Sequence, residues 1–548
     1  MSGGHVGLVS VVRTRASVHL AALVLYGLLA FLPGLGQEVD LANREARHAE
    51  ISREMAATGR FLVPHVCGEL YPDKAPLFNW TAALLFRLAG RADYFLARLP
   101  SALSAVAVLA AVYVLGRRWF STQAALIAAV VWGTTPLVAL WARQSRSDML
   151  LTCLLAYAAL LADSAAAADE GPRRWAAWLG ASAFAALATL AKGPHAALFF
   201  AIVAALVWRA RRPRWAPPWP LTLAALGAIA ALVGGWALAA EVSQPGYLRA
   251  LTGHQFGVGL QQHPMPFYYY LVELLPVALP WSLFVVGAVA WAVRRGRERG
   301  YSAALVPAFV FAALLVLHSL VTNKRVHYML PAMPWWALWL GALLAQSLAN
   351  DDPAGREGRE APAWAARWPA VLILAALLAG ALAGPFAWTR QARGGLAAVI
   401  ALSVVLAGLA AWGLAAAWRG RAAQSAAALC VASAVVGAAW FPLWIGHVAK
   451  PSREVAAARE VIASLPRGAA VGAYRSASEH LLFKLGHAVA LLPDADAVRV
   501  FLAAPGPRYL ITQAERADEV RGLSPRPLRE LSSWQTERDK GTLLLAGG

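Results

Sequence analysis

Long apolar segments recur along most of the chain, and this feature restricts the fold more than any other. Crossing the hydrocarbon core of a bilayer takes roughly 20 apolar residues, and about 13 segments come close to that length. Only 14% of the 548 residues are charged, against roughly 25% in a soluble protein. We therefore expect a mainly α-helical polytopic membrane protein whose first segment is an uncleaved span. The predicted spans lie near 16–35, 99–117, 122–142, 147–163, 174–191, 193–209, 218–240, 271–294, 302–321, 327–348, 367–388, 395–418 and 425–448.

The distribution of basic residues predicts the orientation. Leu77–Gly90 is apolar but short for a crossing, so we expect it to lie along the membrane surface. The arginine-rich loops then share one side, which the positive-inside rule makes cytoplasmic. This explains the net charge of +19 better than a nucleic-acid partner does. The arginines concerned include Arg117, Arg118, Arg173, Arg174, Arg294, Arg295, Arg419 and Arg421.

The opposite side collects the residues that can carry chemistry. It contains the first loop, residues 36–98, where an amphipathic helix is expected from Arg44 to about Thr58. Taken alone, that helix is better interpreted as a solvated surface helix with internal ion pairs than as part of a site. Three basic sites at the ends of different helices could meet at one anion, such as a lipid head group: Lys192, Lys324 and Arg325. Asp148, at the start of a span, is a carboxylate at the membrane edge and thus a functional candidate.

The last hundred residues differ in composition and predict a soluble unit. Helical spacing covers Ser452–Leu465, and short buried strands are expected at Ala469–Tyr474, Ala488–Leu492 and Arg508–Thr512. We expect a transmembrane domain over residues 1–450 and a small α/β domain over residues 451–548.

The blocks of polar residues occur in an order that resembles a known family. Glu45-Ala-Arg47-His48-Ala-Glu50-Ile-Ser-Arg53-Glu54-Met55 is similar to the D-E-x-R-Y-A-E-I-x-R-E-M signature of aminoarabinose transferase-like and protein mannosyltransferase-like glycosyltransferases. Further blocks follow in family order over most of residues 36–335. They are Tyr71-Pro-Asp73-Lys74-Ala-Pro76, Arg98-Leu-Pro-Ser-Ala102, Arg146-Ser-Asp148-Met, Lys192-Gly-Pro194, His263-Pro264 and Lys324-Arg325 with Tyr328.

The resemblance implies a GT-C fold with periplasmic juxtamembrane helices, in the bacterial inner membrane. The active site and the C-terminal domain would face the periplasm. A sugar would move from a polyprenyl-phosphate donor, such as undecaprenyl phosphate, to an acceptor lipid or glycan. One such pair is 4-amino-4-deoxy-L-arabinose and lipid A. The alternatives are a protein O-mannosyltransferase-like enzyme and a transporter or flippase of lipid-linked sugars; an assembly subunit without catalysis is a weaker reading.

The resemblance also implies roles for individual residues. The donor and its lipid phosphate would be bound by Arg47, His48, Lys74, Lys192, His263, Lys324, Arg325 and Tyr328. The catalytic candidates are Glu45, Asp148 and Asp40. The resemblance implies no definite cofactor. A divalent metal is an option but is not required, because the basic residues could supply the same positive charge.

One position departs from the family pattern. Where the family has Asp followed by Glu, this chain has Arg44 followed by Glu45. Glu45 can have taken the role of the missing acid, or Asp40 can reach in from four residues earlier. A third option is an acceptor that is already ionised and needs little base catalysis.

Overall fold

The fold is described here from a computed structural model, which is mainly helical. It describes residues 4–38, 45–66, 68–212, 219–253, 264–349, 364–392, 394–448, 453–466, 468–475, 479–486, 489–535 and 540–546. The helices up to the middle of the chain are α1 Gly4–Phe31, α2 Glu45–Thr58, α3 Leu77–Ala89, α4 Tyr94–Trp119, α5 Thr122–Thr134, α6 Pro136–Trp141, α7 Ser147–Ala167, α8 Pro172–Lys192, α9 His195–Arg211, α10 Trp219–Ser243 and α11 Tyr247–Gly253.

The later helices include those of the C-terminal part. They are α12 Tyr269–Val277, α13 Val285–Arg299, α14 Val306–Leu320, α15 Met333–Ala349, α16 Trp364–Gln391, α17 Leu396–Trp418, α18 Ala422–His447, α19 Arg453–Ser464, α20 Glu479–Leu485, α21 Ala495–Ala503 and α22 Ala517–Leu523. Short 3-10 helices cover Trp281–Phe284, Ala303–Leu305, Val326–Ala332 and Ala514–Arg516. The strands are β1 His65–Val66, β2 Glu69–Leu70, β3 Ala470–Tyr474, β4 Val489–Leu492, β5 Arg508–Gln513, β6 Leu528–Gln535 and β7 Lys540–Ala546.

Eight helical segments in the described part of the chain are long and apolar enough to cross a bilayer. They are Tyr94–Trp119, Ser147–Ala167, Thr222–Ser243, Ala303–Leu320, Val326–Leu348, Trp364–Gln391, Leu396–Trp418 and Ala422–Trp444. The protein is thus a multi-pass membrane protein, and these eight coincide with eight of the spans expected from the sequence.

The other five expected spans are also helical, but they do not combine the length and the mean hydropathy that a crossing helix needs. At 122–142 the helix is divided into α5 and α6, because Pro136 disfavours helical backbone at Thr135. At 271–294 the chain forms α12, a 3-10 turn and α13, with Pro276 and Pro280 at the interruptions. The count of about 13 spans therefore stays a prediction.

Helices α7 and α8 form an antiparallel hairpin that brings distant charges together. Each helix has 21 residues, and only a short connection joins them. The start of α7 therefore lies beside the end of α8, which places Asp148 next to Lys192. An acid in the first turn and a cation in the last turn also suit the two helix dipoles.

Helix α15 packs against α5 through small residues, which lets the two backbones come close. A Cβ atom on Gly341 would lie 2.5 Å from the carbonyl oxygen of Ala124 and 2.7 Å from the Cβ of Ala128. This contact matters for the site because the 3-10 helix that leads into α15 carries His327 and Tyr328.

The C-terminal segment contains a mixed sheet in the order β4-β3-β5-β7-β6. β3 pairs in parallel with β4 and β5, whereas β7 pairs antiparallel with β5 and β6. Side chains alternate between two apolar clusters, with Ile511 and Leu543 in one and Leu510 and Leu544 in the other. The three strands expected from the sequence coincide with β3, β4 and β5, while β6 and β7 were not foreseen.

Helix α20 of this segment contacts the first loop. Arg47 on α2 donates to Glu479, and Arg53 donates to the carbonyl oxygen of Gly486 over 3.1 Å. The Tyr94 hydroxyl and the Nδ1 atom of His480 are 2.7 Å apart. The C-terminal sheet is thus fixed to the loop that carries the family-like motif.

We expect Gly341→Ala to destabilise the protein by about 1–3 kcal/mol, because the added methyl group meets backbone that must move. The midpoint of thermal unfolding in detergent measures this effect. Gly408→Ala is the matched control, since a Cβ atom on Gly408 meets nothing within 4 Å. Equal midpoints for the two variants would contradict the close packing of α5 on α15.

Candidate functional site

Glu45, the first residue of α2, is buried in a network of hydrogen bonds. Arg98 on α4 donates to both carboxylate oxygens, over 2.6 and 3.0 Å, and the Ser145 backbone N–H donates over 2.9 Å. Arg98 also donates to the carbonyl oxygens of Leu35 and Gln37. Because three donors bind this carboxylate and Glu45 is only 1% exposed, we interpret it as a structural anchor rather than an available base.

Lys74 lies in the turn between the small β1–β2 hairpin and α3. Its Nζ atom is 3.9 Å from Asp73, whose carboxylate accepts a 2.6 Å hydrogen bond from the Tyr71 hydroxyl. Burial lowers the pKa of Lys74 to about 8; Asp73 opposes that shift, and the cations of Lys192 and Arg146 add to it. Burial, followed by Asp73, raises the pKa of Tyr71, so the phenol stays protonated and donates.

Asp148 is the carboxylate at the centre of the site. It forms an ion pair with Lys192 and lies 3.9 Å from the Nε2 atom of His327. The Lys192 amine also lies 4.7 Å from the centre of the Tyr328 ring, a cation–π contact. Four side chains from α7, α8 and the 3-10 helix before α15 therefore form one buried cluster.

The cations of the site act on one another over short range. The charges of Lys192, Arg146 and Asp148 all act on Lys74, and those of Arg146 and Arg325 act on Lys192. Lys74, Arg146, Lys192 and Arg325 thus lie near one another, and the acids among them are Asp73 and Asp148. Such an excess of positive charge, in a site largely shielded from solvent, is suited to binding a phosphate group.

His48 faces this group from α2. Burial lowers its pKa to about 3, and the charges of Lys74 and Arg146 contribute to that shift. The imidazole is therefore neutral at any physiological pH, so it can exchange hydrogen bonds with a ligand but supplies no charge.

Two of the cations expected from the sequence have other partners. Arg47 binds Glu479 and lies over the Tyr71 ring, at the edge of the site towards the C-terminal sheet. The Lys324 amine donates to the backbone carbonyl oxygens of Met265 and Val321, while its neighbour Arg325 acts on the cluster. Asp40 and His263 lie outside the described residues.

Sequence reasoning did not assign a role to Arg146 or His327. Arg146 stands two residues before Asp148, in a turn expected from the sequence to lie on the non-cytoplasmic side. The positive-inside rule disfavours arginine there, and this signal could have identified it. No comparable signal marks His327, which reaches Asp148 only through the packing of the 3-10 helix against α7. Among the described residues, no group of three or more His, Cys, Asp or Glu side chains is placed to hold a metal ion.

Comparison with known proteins shows which families this chain is similar to. A model of the dolichyl-phosphate-mannose-protein mannosyltransferase family matches residues 73–236. An undecaprenyl phosphate-α-4-amino-4-deoxy-L-arabinose arabinosyl transferase of Pseudomonas fluorescens is 29% identical over 340 residues, which are 60% of this chain and 59% of that protein. The corresponding protein of Aeromonas salmonicida is 27% identical over 62% of this chain and 61% of its own length.

Two crystal structures of ArnT from Cupriavidus metallidurans have the same overall fold. The apo form gives a TM-score of 0.66 at 19% identity, covering 98% of this chain and 99% of that one. The form bound to undecaprenyl phosphate gives 0.67 at 18% identity, covering 97% and 99%. This chain resembles the aminoarabinose transferases in sequence and shares their fold. The resemblance drawn from the sequence motifs is confirmed, although the chain spans about three fifths of the length of the curated relatives it matches.

We expect Glu45→Gln to destabilise the protein by about 3 kcal/mol, because it leaves the buried Arg98 guanidinium without its counter-charge. Thermal unfolding in detergent measures the loss. Glu298→Gln removes an exposed partner of Arg294 and is the matched control, with an effect below about 1 kcal/mol. A Glu45→Gln protein that unfolds like the wild type but has lost its activity would instead make Glu45 a catalytic group.

Proposed function

We propose that this protein transfers a sugar from a polyprenyl-phosphate donor to an acceptor at the outer face of the bacterial inner membrane. The observation that carries the proposal is that four cations lie near one another beside the acids Asp73 and Asp148, close to the ends of membrane helices. These cations are Lys74, Arg146, Lys192 and Arg325. The donor by this reading is undecaprenyl phosphate carrying 4-amino-4-deoxy-L-arabinose. Two observations support this choice: the similar arabinosyl transferases are named after this donor, and one of the ArnT crystal structures contains undecaprenyl phosphate. Lipid A is the acceptor to test first.

The architecture belongs to the same proposal. Residues 1–450 form a transmembrane domain of about 13 spans with juxtamembrane helices α2 and α3, and residues 451–548 form a soluble α/β domain. Both the site and this domain face the periplasm, because the arginine-rich loops then lie in the cytoplasm. The contacts between α2 and α20 support putting the first loop and the soluble domain on one side.

The cations stabilise the departing group. As the acceptor oxygen bonds to the anomeric carbon, the bond from that carbon to the phosphate oxygen breaks, and negative charge gathers on the polyprenyl phosphate. Lys74, Lys192 and Arg146 are arranged before the reaction to meet this charge, an effect worth several kcal/mol, about 3–4 for one donor. Arg47 would join them by exchanging Glu479 for the phosphate.

Asp148 is the group we assign to the acceptor. It positions a hydroxyl acceptor and takes its proton, or it only orients an acceptor that is already ionised, such as a lipid phosphate. Glu45 is engaged by three donors, so its part is to hold α2 in place. Asp40 stays a candidate for the acid that the family pattern puts just before Glu45.

Purified protein should transfer labelled 4-amino-4-deoxy-L-arabinose from its undecaprenyl phosphate carrier to lipid A. Lys74→Met should lower the transfer rate about 100-fold through loss of one stabilising charge, while Lys74→Arg retains most of it. Product formation is followed by mass spectrometry, with thermal unfolding as the check on folding. Movement of the donor across vesicles without a new glycoside would support the transporter alternative and contradict the enzyme.

Binding of undecaprenyl phosphate should weaken as the pH rises through about 8. Lys74 is charged below its pKa of about 8 and neutral above it, whereas a phosphate monoester is already fully ionised above pH 7. We therefore expect affinity to fall about tenfold from pH 7 to pH 9. Lys74→Arg keeps its charge and should remove most of the dependence. Equal pH profiles for wild type and Lys74→Arg would exclude Lys74 as a phosphate ligand.

A further inference from the structure

The turn between α6 and α7, residues 141–147, forms one wall of the site. The Trp141 ring stacks on His327 with centroids 5.0 Å apart, and His327 in turn lies beside Asp148. The backbone N–H of Ser145 donates to Glu45, and the carbonyl oxygen of Arg146 accepts a 3.0 Å hydrogen bond from Ser101. The turn is thus fixed on both sides, between α2 and the 3-10 helix that leads into α15.

Polar side chains of this turn are buried without hydrogen-bond partners among the described residues. Neither amide atom of Gln144, which is 0% exposed, has a partner, and the same holds for the Ser145 hydroxyl and the Trp141 Nε1–H. His48 lies one turn after Glu45 on α2, and its buried Nδ1 atom likewise has no hydrogen-bond partner among the described residues. Trp141, Gln144 and Ser145 lie in this turn, and the charge of Arg146 in the same turn acts on His48, so all four side chains border the same part of the site.

Such groups are unfavourable in a folded protein unless something binds them. A buried amide that pairs with nothing loses its hydration without compensation, so a core position would favour Leu or Met over Gln. A site built to bind hydroxyl groups has this property before its ligand arrives, and it discriminates strongly against ligands that lack those hydroxyls. The unpaired atoms therefore indicate a ligand with several neutral donors and acceptors.

We infer that Gln144 and Ser145 hydrogen-bond the hydroxyl groups of the sugar ring carried by the donor. The inference rests on the proposed function and adds the residues that select the sugar. Gln144 offers both a donor and an acceptor, as two adjacent ring hydroxyls require. Both residues are neutral, which suits a sugar ring better than a phosphate. Arg146 follows directly in the chain and acts on Lys74 and Lys192, so the turn adjoins the proposed phosphate site, to which the sugar is covalently attached.

The test compares two ligands, undecaprenyl phosphate and the same lipid carrying 4-amino-4-deoxy-L-arabinose. Gln144→Leu keeps the size of the side chain and removes its polar atoms. It should weaken binding of the sugar-bearing lipid about tenfold and leave the affinity for undecaprenyl phosphate within about twofold. Ser145→Ala should act in the same direction with a smaller effect. Ser182→Ala is the matched control, because the buried Ser182 hydroxyl already donates to a carbonyl oxygen of its own helix.

Three results would decide the matter. A loss confined to the sugar-bearing lipid, with an unfolding midpoint equal to or above that of the wild type, supports the inference. Equal changes in affinity for both lipids, or no change in either affinity, overturn it. If Gln144→Leu lowers the unfolding midpoint, the same two affinities are compared for Ser145→Ala. Failure of the wild-type protein to bind undecaprenyl phosphate at all would overturn the proposed function itself, so the two failures are distinguishable.

Discussion

The buried pair of Glu45 and Arg98 is the interaction on which the arrangement of the site depends. It joins α2 to α4. Through Ser145 and the carbonyl oxygens of Leu35 and Gln37, it also fixes the turn before α7 and the segment that follows α1. Such a pair adds little net stability over apolar residues of the same size, but breaking it leaves an uncompensated charge in the interior. Its contribution is therefore to hold α2 in one arrangement, which also fixes the position of His48 in the site.

The site contains more cations than acids, and most of it is buried from solvent. Each lysine loses hydration when it is buried, and the neighbouring cations add repulsion, as the lowered pKa of Lys74 reflects. The ion pair of Asp148 with Lys192 offsets only part of this. A bound phosphate would offset the remaining repulsion between the cations, which agrees with the proposed function. The same reasoning applies to Gln144, whose side-chain amide has no hydrogen-bond partner in the described part of the chain. The inferred ligand of this amide is neutral.

Much of the architecture follows from local properties of the chain. The eight helices long and apolar enough to cross a bilayer and the strands β3, β4 and β5 were predictable. Each depends on a run of apolar residues of suitable length and periodicity. The divided segment at 271–294 was not foreseen, since hydropathy averages over Pro276 and Pro280. β6 and β7 were not predicted because neither shows an alternation of polar and apolar residues. β7 forms by pairing with β5, and β6 forms by pairing with β7.

The sequence by itself determined that the chain enters a membrane, how its basic loops are distributed, and which motifs resemble a family of sugar transferases, because these properties reside in short stretches of residues. Only the tertiary structure decided that Glu45 is held by three donors, that Lys324 turns towards backbone carbonyls while Arg325 acts on the cluster, and that Arg146 and His327 join Asp148. The reason is physical: whether a charged side chain is an anchor or an available ligand depends on its nearest partners, and those partners come from helices more than forty residues apart in the chain.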